Sequence, residues 1–186
     1  MNYARIRTND IANGEGIRTT IFVSGCHIIC PGCQNYNIQK FDTGVEFNID
    51  SMYEILNSMH EGISGLSILG GEPMARQNID NVIDIMKTFK HVHPDKTIWV
   101  WTGFKLDFDL DGAETYYEGE TFAEEPRFFH REALELIDVL VDGRWEMKNF
   151  DRNLLWSGSS NQRVIDVQKT LKENEVVLYS DNRTTS

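Results

Sequence analysis

The sequence predicts an α/β fold, an open or partial βα barrel around a mainly parallel sheet. Short apolar, β-branched runs alternate along it with amphipathic helical stretches, and each run is followed by glycine or turn residues. Only four such runs stand out, too few for a closed eight-stranded barrel. The first, residues 19–24 (TTIFVS), ends at Gly25 and reads as a buried strand. Residues 50–60 place Met52, Ile55, Leu56 and Met59 at helical spacing, with Asp50 or Ser51 as the expected N-cap. The pattern then repeats with a strand at 66–69, a Gly70-Gly71 turn and a helix at 79–89 that directs Val82, Ile83 and Met86 inward. A strand at 97–102 follows, then a helix at 131–136 and a strand at 137–141. In such βαβ units ligands gather at the C-terminal ends of the strands.

The 186 residues amount to about one domain, and 40% of them are hydrophobic, enough for a sizeable core. We expect a single domain over residues 1–172, an insertion within it at 107–130 and a flexible tail at 173–186. With 18 basic against 29 acidic residues the net charge is -11, which opposes binding to nucleic acid or to anionic membranes. No apolar run reaches the roughly 20 residues of a membrane span, and the first residues, MNYAR, lack the apolar segment of a signal peptide. A cytoplasmic location is the expectation.

Residues 107–126 hold eight acidic side chains and no Lys or Arg, interleaved with Phe108, Tyr116, Tyr117 and Phe122. A charge run of this kind reads as a solvated face, and its aromatics argue that it packs down on the protein. Trp99 and Trp101 alternate on one strand and read as core residues. Arg18 reads as a salt-bridge partner or a carboxylate-binding group, Asp142-Gly143 as a turn, and the 158–161 stretch (GSSN) as the N-cap of a helix carrying Val164, Val167 and Leu171. His60, His91, His93 and His130 show no metal spacing with the cysteines.

Three cysteines within eight residues are an odd, crowded set, unsuited to a disulfide framework and typical of metal ligands. Cys26, Cys30 and Cys33 form CxxxCxxC on a loop just past the first strand, so three thiolates can hold three corners of an iron cube and leave the fourth iron without a protein ligand. A zinc site is the alternative, with His27 as a fourth ligand hampered by its adjacency to Cys26. Pro31-Gly32 suits either, because both need a tight turn. After the second strand stands Gly70-Gly71-Glu72-Pro73, whose glycines let a ligand approach the backbone; read alone it is also an ordinary βα turn. Both loops hang from the same edge of the expected sheet and so face one cavity.

CxxxCxxC after the first strand and GGEP after the second resemble the radical S-adenosylmethionine superfamily. The match extends to NGEGIR at 13–18, FVSGCHIICPGCQN at 22–35, IWVWTGF at 98–104, VLVDGRW at 139–145 and LLWSGSSNQRVID at 154–166. Together these resemble the activating proteins of anaerobic (class III) ribonucleoside-triphosphate reductases, from residue 1 to about 166, interrupted by the acidic stretch.

That resemblance implies one 4Fe-4S cluster on Cys26, Cys30 and Cys33, with S-adenosyl-L-methionine bound through the open iron. Reductive cleavage of S-adenosylmethionine would yield methionine and a 5'-deoxyadenosyl radical, which takes a hydrogen atom from a glycine Cα of the reductase large subunit. A one-electron donor such as flavodoxin is implied as a second partner. The backbone at Gly32, Cys33, Gln34 and Gly71 is expected to touch the cofactor, and Glu72 to accept from its ammonium group. Many superfamily members carry an aromatic residue just before the third cysteine to cover the adenine; here that residue is Gly32. Two other readings stand beside this one: activation of a different glycyl-radical enzyme of the formate lyase type, against which IWVWTG and GSSNQ argue, and a small zinc-binding interaction module, which leaves GGEP without a task.

Overall fold

A computed structural model of the chain describes residues 1–106 and 131–180; the expected acidic insertion at 107–130 and residues 181–186 lie outside the described residues. Seven strands form one mixed sheet in the order β3-β1-β2-β4-β5-β6-β7. Its centre is parallel: β2 (Arg18–Val23) pairs with β4 (Gly65–Gly70), β4 with β5 (Thr97–Trp101) and β5 with β6 (Val139–Asp142). These are the four strands the sequence predicts. Their apolar runs are buried on both sides, as in parallel sheets covered on both faces.

Three antiparallel edge strands are additions. β1 (Asn2–Asp10) pairs with β2 and with the short β3 (Val45–Glu46). A register shift between Tyr3 and Arg5 breaks its period-2 alternation, so Tyr3 and Ile6 both pack against the main core. On the other side of β1, the Arg5 and Arg7 guanidinium carbons stand 4.0 and 5.2 Å from the Phe22 ring centroid, a cation–π cover that hydropathy does not register. β7 (Arg163–Asp166) pairs antiparallel with β6. It corrects the expected helix over Val164, which is instead a buried strand residue; α4 begins only at Val167. The cap of α4 (Val167–Glu173) is likewise not the 158–161 stretch but Asp166, which accepts from Lys169 N at 3.0 Å.

α1 (Ile49–Asn57) is capped by Asn48, accepting from Ser51 N at 2.9 Å, and not by Asp50 or Ser51. α2 (Ile79–Val92) buries Val82, Ile83 and Met86, as its periodicity predicts, and α3 (Arg131–Leu136) leads into β6. Alternate strand residues divide between two sides of the sheet. Ile98, Val100, Leu140 and Ile165 join the core that contains Leu56, Val82 and Phe89 of the helices, while Trp99, Val139, Val141 and Val164 form a second cluster with Trp101 and Trp156. Trp99 is the hub there, its ring centroid 5.8 Å from Trp101, 5.0 Å from Trp156 and 5.3 Å from Tyr179. Past α4 the chain returns beside β7, with Asp166 N donating to Val177 O at 2.9 Å and Tyr179 N to Val164 O at 2.8 Å.

Arg18 departs from its expected role. It is 0% exposed, and it serves no carboxylate: Nε donates to Ser67 Oγ (2.7 Å), Nη1 to Glu15 O (3.2 Å) and Thr97 Oγ1 (3.0 Å), and Nη2 to Leu66 O and Thr97 O (both 2.8 Å). All five N–H donors of the guanidinium are spent, which is how a buried cation is tolerated. Burial pulls its pKa down to about 10, still above neutral pH, so the group keeps its charge.

Candidate metal centre at the strand ends

The cysteine loop leaves β2 through Ser24 and Gly25 and is closed at its base by backbone hydrogen bonds, Gly25 N to Ile38 O (2.8 Å) and Cys26 N to Gln39 O (2.9 Å). Within it Cys33 N donates to Cys30 O at 3.1 Å around Pro31-Gly32, with φ +76° at Gly32. Proline then glycine at the two central positions is the demand of a type II turn, so the CPGC spelling builds the reversal itself. Ile29 adopts φ +47°, a costly conformation for a β-branched residue. The strained stretch has a use: the Ile28 and Ile29 amides hydrogen-bond the Cys26 sulfur, the Trp145 amide that of Cys30, and Asn35 N donates to Cys33 Sγ at 3.4 Å. Every thiol is thus met by backbone N–H groups.

The second loop is stitched to the first. Gly71 N donates to Val23 O (2.8 Å) and Glu72 N to Gly25 O (2.7 Å), while Asn78 Nδ2 bridges Ser24 O and Glu72 O, both at 2.9 Å. A Cβ on Gly71 would stand 2.3 Å from Gly25 O, and one on Gly70 2.8 Å from Val23 O. The two glycines therefore let one loop's backbone lie against the other's. Glu72, 1% exposed, ties this junction to the end of β5: Oε1 accepts from Met74 N (2.9 Å) and Thr102 Oγ1 (2.7 Å), and Oε2 from Gly103 N (2.7 Å).

The end of β6 completes the ring. Asp142 is fully buried and accepts from Arg163 Nε (3.0 Å) and Leu106 N (2.8 Å), which makes Asp142-Gly143 a pinned turn. Gln162 holds the neighbouring loop, its Oε1 accepting from Gly158 N (3.0 Å) and Ser159 N (3.2 Å) and its Nε2 donating to Gly143 O (3.0 Å). The GSSNQ stretch is therefore a clip for the β6 loop. Asn78, Trp145 and Gln162 were not singled out by sequence; the blocks that contain the last two, VLVDGRW and GSSNQ, carried the only signal.

These strand ends enclose a cavity of about 150 Å³ lined by Cys26, Cys30, Cys33, Gly71, Glu72 and Trp145 among others. Of the remaining expected contact residues, Gly32 and Gln34 are exposed and lie outside this lining. Gly32 instead faces Met147 and Trp145, whose atoms would stand 2.5 and 3.1 Å from a Cβ there. His27, the fourth ligand of the zinc alternative, places Nε2 3.1 Å from Gln77 Nε2 and its ring 4.6 Å from Phe41. Among the described residues no three His, Cys, Asp or Glu side chains converge as ligands of one ion.

Burial, and then the nearby Glu72 carboxylate, push the Cys26 thiol up to about 12, and burial also raises Cys30. Both thiols hold their protons more tightly than a free cysteine in the metal-free chain, so binding iron would release those protons. The donor set fits an iron–sulfur cluster: three thiols on one loop, amides aimed at the sulfurs and a carboxylate behind them.

Comparison with known proteins gives the same reading. Residues 12–165 match the family model described as "4Fe-4S single cluster domain". The anaerobic ribonucleoside-triphosphate reductase-activating protein of Haemophilus influenzae is 37% identical over 167 residues, 88% of this chain and 97% of the relative. Its counterpart in Escherichia coli K12 is 36% identical over the same shares, and that of Enterobacteria phage T4 is 33% identical over 88% of this chain and 93% of its own length. No helix among the described residues is long and apolar enough to cross a membrane. On sequence, fold and the chemistry of its thiols, the chain belongs to the family of anaerobic ribonucleoside-triphosphate reductase-activating proteins.

Proposed function

We propose that this protein is a radical S-adenosylmethionine activase that generates a glycyl radical on the large subunit of an anaerobic ribonucleoside-triphosphate reductase. The observation that carries the reading is the cavity at the parallel strand ends, where three amide-bonded thiols stand on one wall and the Gly71-Glu72 backbone on the other. One-electron cleavage of S-adenosylmethionine, to methionine and a 5'-deoxyadenosyl radical, is the chemistry that a 4Fe-4S cluster with an open iron supplies when bound.

The chain's own residues position and insulate. Cys26, Cys30 and Cys33 would each hold one iron. The backbone at Gly32, Cys33, Gln34 and Gly71 would contact the cofactor, and the Glu72 carboxylate would act on its ammonium group from a fixed station. Glu72 is suited to that station because its hydrogen bonds from Thr102 and Gly103 tie the end of β4 to that of β5. The amides aimed at the sulfurs and the carboxylate behind them would act on a bound cluster's potential in opposite directions.

The four parallel strands, with the cavity at their C-terminal ends, support reading the sheet as a partial barrel of the radical S-adenosylmethionine type. Residues 1–172 would form its single domain, interrupted by the insertion at 107–130, with 173–186 as a tail of which Val177 and Tyr179 are tied to β7. A one-electron donor of the flavodoxin kind, in the cytoplasm, would complete the partnership.

Anaerobic reconstitution tests this reading. Iron and sulfide near four each per chain, and 5'-deoxyadenosine formed on adding reductant and S-adenosylmethionine, are expected; tight zinc with no cleavage would sink it. Electron paramagnetic resonance should then show a glycyl radical on the reductase. A signal on a formate lyase and none on the reductase would move the target. Replacing Cys30 by Ala should abolish both the cluster and the cleavage.

A further inference from the structure

Trp145 is the side chain whose surroundings the mechanism above leaves unexplained. It follows β6 in the 143–146 loop and lines the cavity with the three cysteines. Its backbone amide is occupied by Cys30, while its indole Nε1 is buried and bonded to nothing. That nitrogen edge is turned toward Gly158, inside the protein.

The ring is wedged between two glycines from different loops. Atoms Cζ3 and Cη2 would stand 3.1 and 3.2 Å from a Cβ on Gly32, and Cδ1 and Nε1 2.7 and 2.8 Å from a Cβ on Gly158. A side chain at either place would displace the indole. Gly158 is itself fixed by Gln162, so the loop that supports the ring is built rather than incidental. The cavity has a second tryptophan, Trp101, but its Nε1 donates to Trp156 O at 2.7 Å and its ring belongs to the Trp99 cluster. Among the described residues, Trp145 is the aromatic side chain of this lining that has no partner ring.

We infer that Trp145 is the aromatic wall against which the adenine of S-adenosylmethionine packs, standing in the space that Gly32 leaves open. This rests on the proposed function, which supplies a ligand with a planar, acceptor-rich base. A purine offers a flat π face for the indole to pack against.

The test uses the anaerobically reconstituted full chain, without reductant so that no turnover occurs. Calorimetry measures binding of S-adenosylmethionine and, separately, of methionine, which has no adenine. Trp145→Ala should weaken S-adenosylmethionine about tenfold or more, the size of one base–aromatic stack, and leave methionine binding and the iron content unchanged. Trp145→Phe keeps the aromatic face and should recover most of the loss. Unchanged S-adenosylmethionine binding in Trp145→Ala overturns the inference. So does equal loss for both ligands, or loss of iron in both variants, since the ring would then only prop the cysteine loop. If the unsubstituted protein loads iron but binds no S-adenosylmethionine, the functional reading itself fails.

Discussion

The two ends of the same four parallel strands are built on opposite principles. At the N-terminal end Arg18 lies in the core with all five donors matched at 2.7–3.2 Å to carbonyls and hydroxyls of Glu15, Leu66, Ser67 and Thr97. At the C-terminal end three thiols, Glu72 and the Trp145 ring line a cavity, on a loop in which Ile29 takes φ +47°. One end is knit together around a buried cation whose donors are all spent, and the other opens around a cavity. The contrast shows where stability is concentrated and where it has been given up for binding.

The comparison can be broken most forcefully at the satisfied end. Arg18→Leu takes the donor away from five acceptors at once, two of them in fully buried bonds, and should cost about 4 kcal/mol or more. Denaturant unfolding of the cluster-free protein would show it as a lowered midpoint, and a change under about 1 kcal/mol would mean the Arg18 network is not the strut described here. Gly71→Ala acts at the other end by pushing a Cβ within 2.3 Å of the Gly25 carbonyl oxygen. We expect a loss of about 2–3 kcal/mol and impaired iron loading, because backbone must move to admit the methyl. Full iron content in that variant would contradict the loop-on-loop role of the glycine.

Glu72→Gln sharpens the comparison, since it keeps the shape and removes an acceptor facing Gly103 N or the Met74 and Thr102 donors. A loss of about 1–2 kcal/mol is expected in the cluster-free protein, read from its unfolding midpoint. The smallest effect concerns Tyr179, whose hydroxyl donates to Glu15 Oε2 at 2.5 Å beside the Arg18 end. That bond, with partial burial, raises its pKa from 10.0 to about 12. A proton held more tightly in the folded state stabilises below the unfolded pKa, and the advantage is lost as pH climbs from 10 through about 12. Tyr179→Phe should therefore cost roughly 0.5 kcal/mol at pH 8, the group being partly exposed, and the gap from the unsubstituted protein should close by pH 12. A gap that is constant with pH would show that the Glu15 bond contributes nothing.

Much of this arrangement was legible in the residues because the signals are local. The parallel strands announce themselves as apolar runs buried on both faces, and CPGC contains its own turn. β1 was not legible, because a bulge interrupts its alternation and its outer cover is arginine over Phe22. β7 was misread because Val164, Val167 and Leu171 mimic a helical repeat across a strand-to-helix junction that has no intervening loop. That Gly70 and Gly71 also make room for another loop's carbonyls was not legible. That partner lies more than 40 residues away, and no window of sequence contains it.

By itself the sequence determined the chemistry: three thiols at CxxxCxxC, a glycine–glutamate turn after the next strand, and the alternation that places both at one sheet edge. Their identities and spacing are covalent facts, and local turn and strand preferences act on a few residues at a time. Only the tertiary structure decided that Arg18 seals the far end of the strands, that Glu72 joins β4 to β5, and that Trp145 fills the space above Gly32. Each of these depends on which distant backbone groups come within hydrogen-bonding or van der Waals reach, a distance that the packing of the strands sets and the order of residues does not.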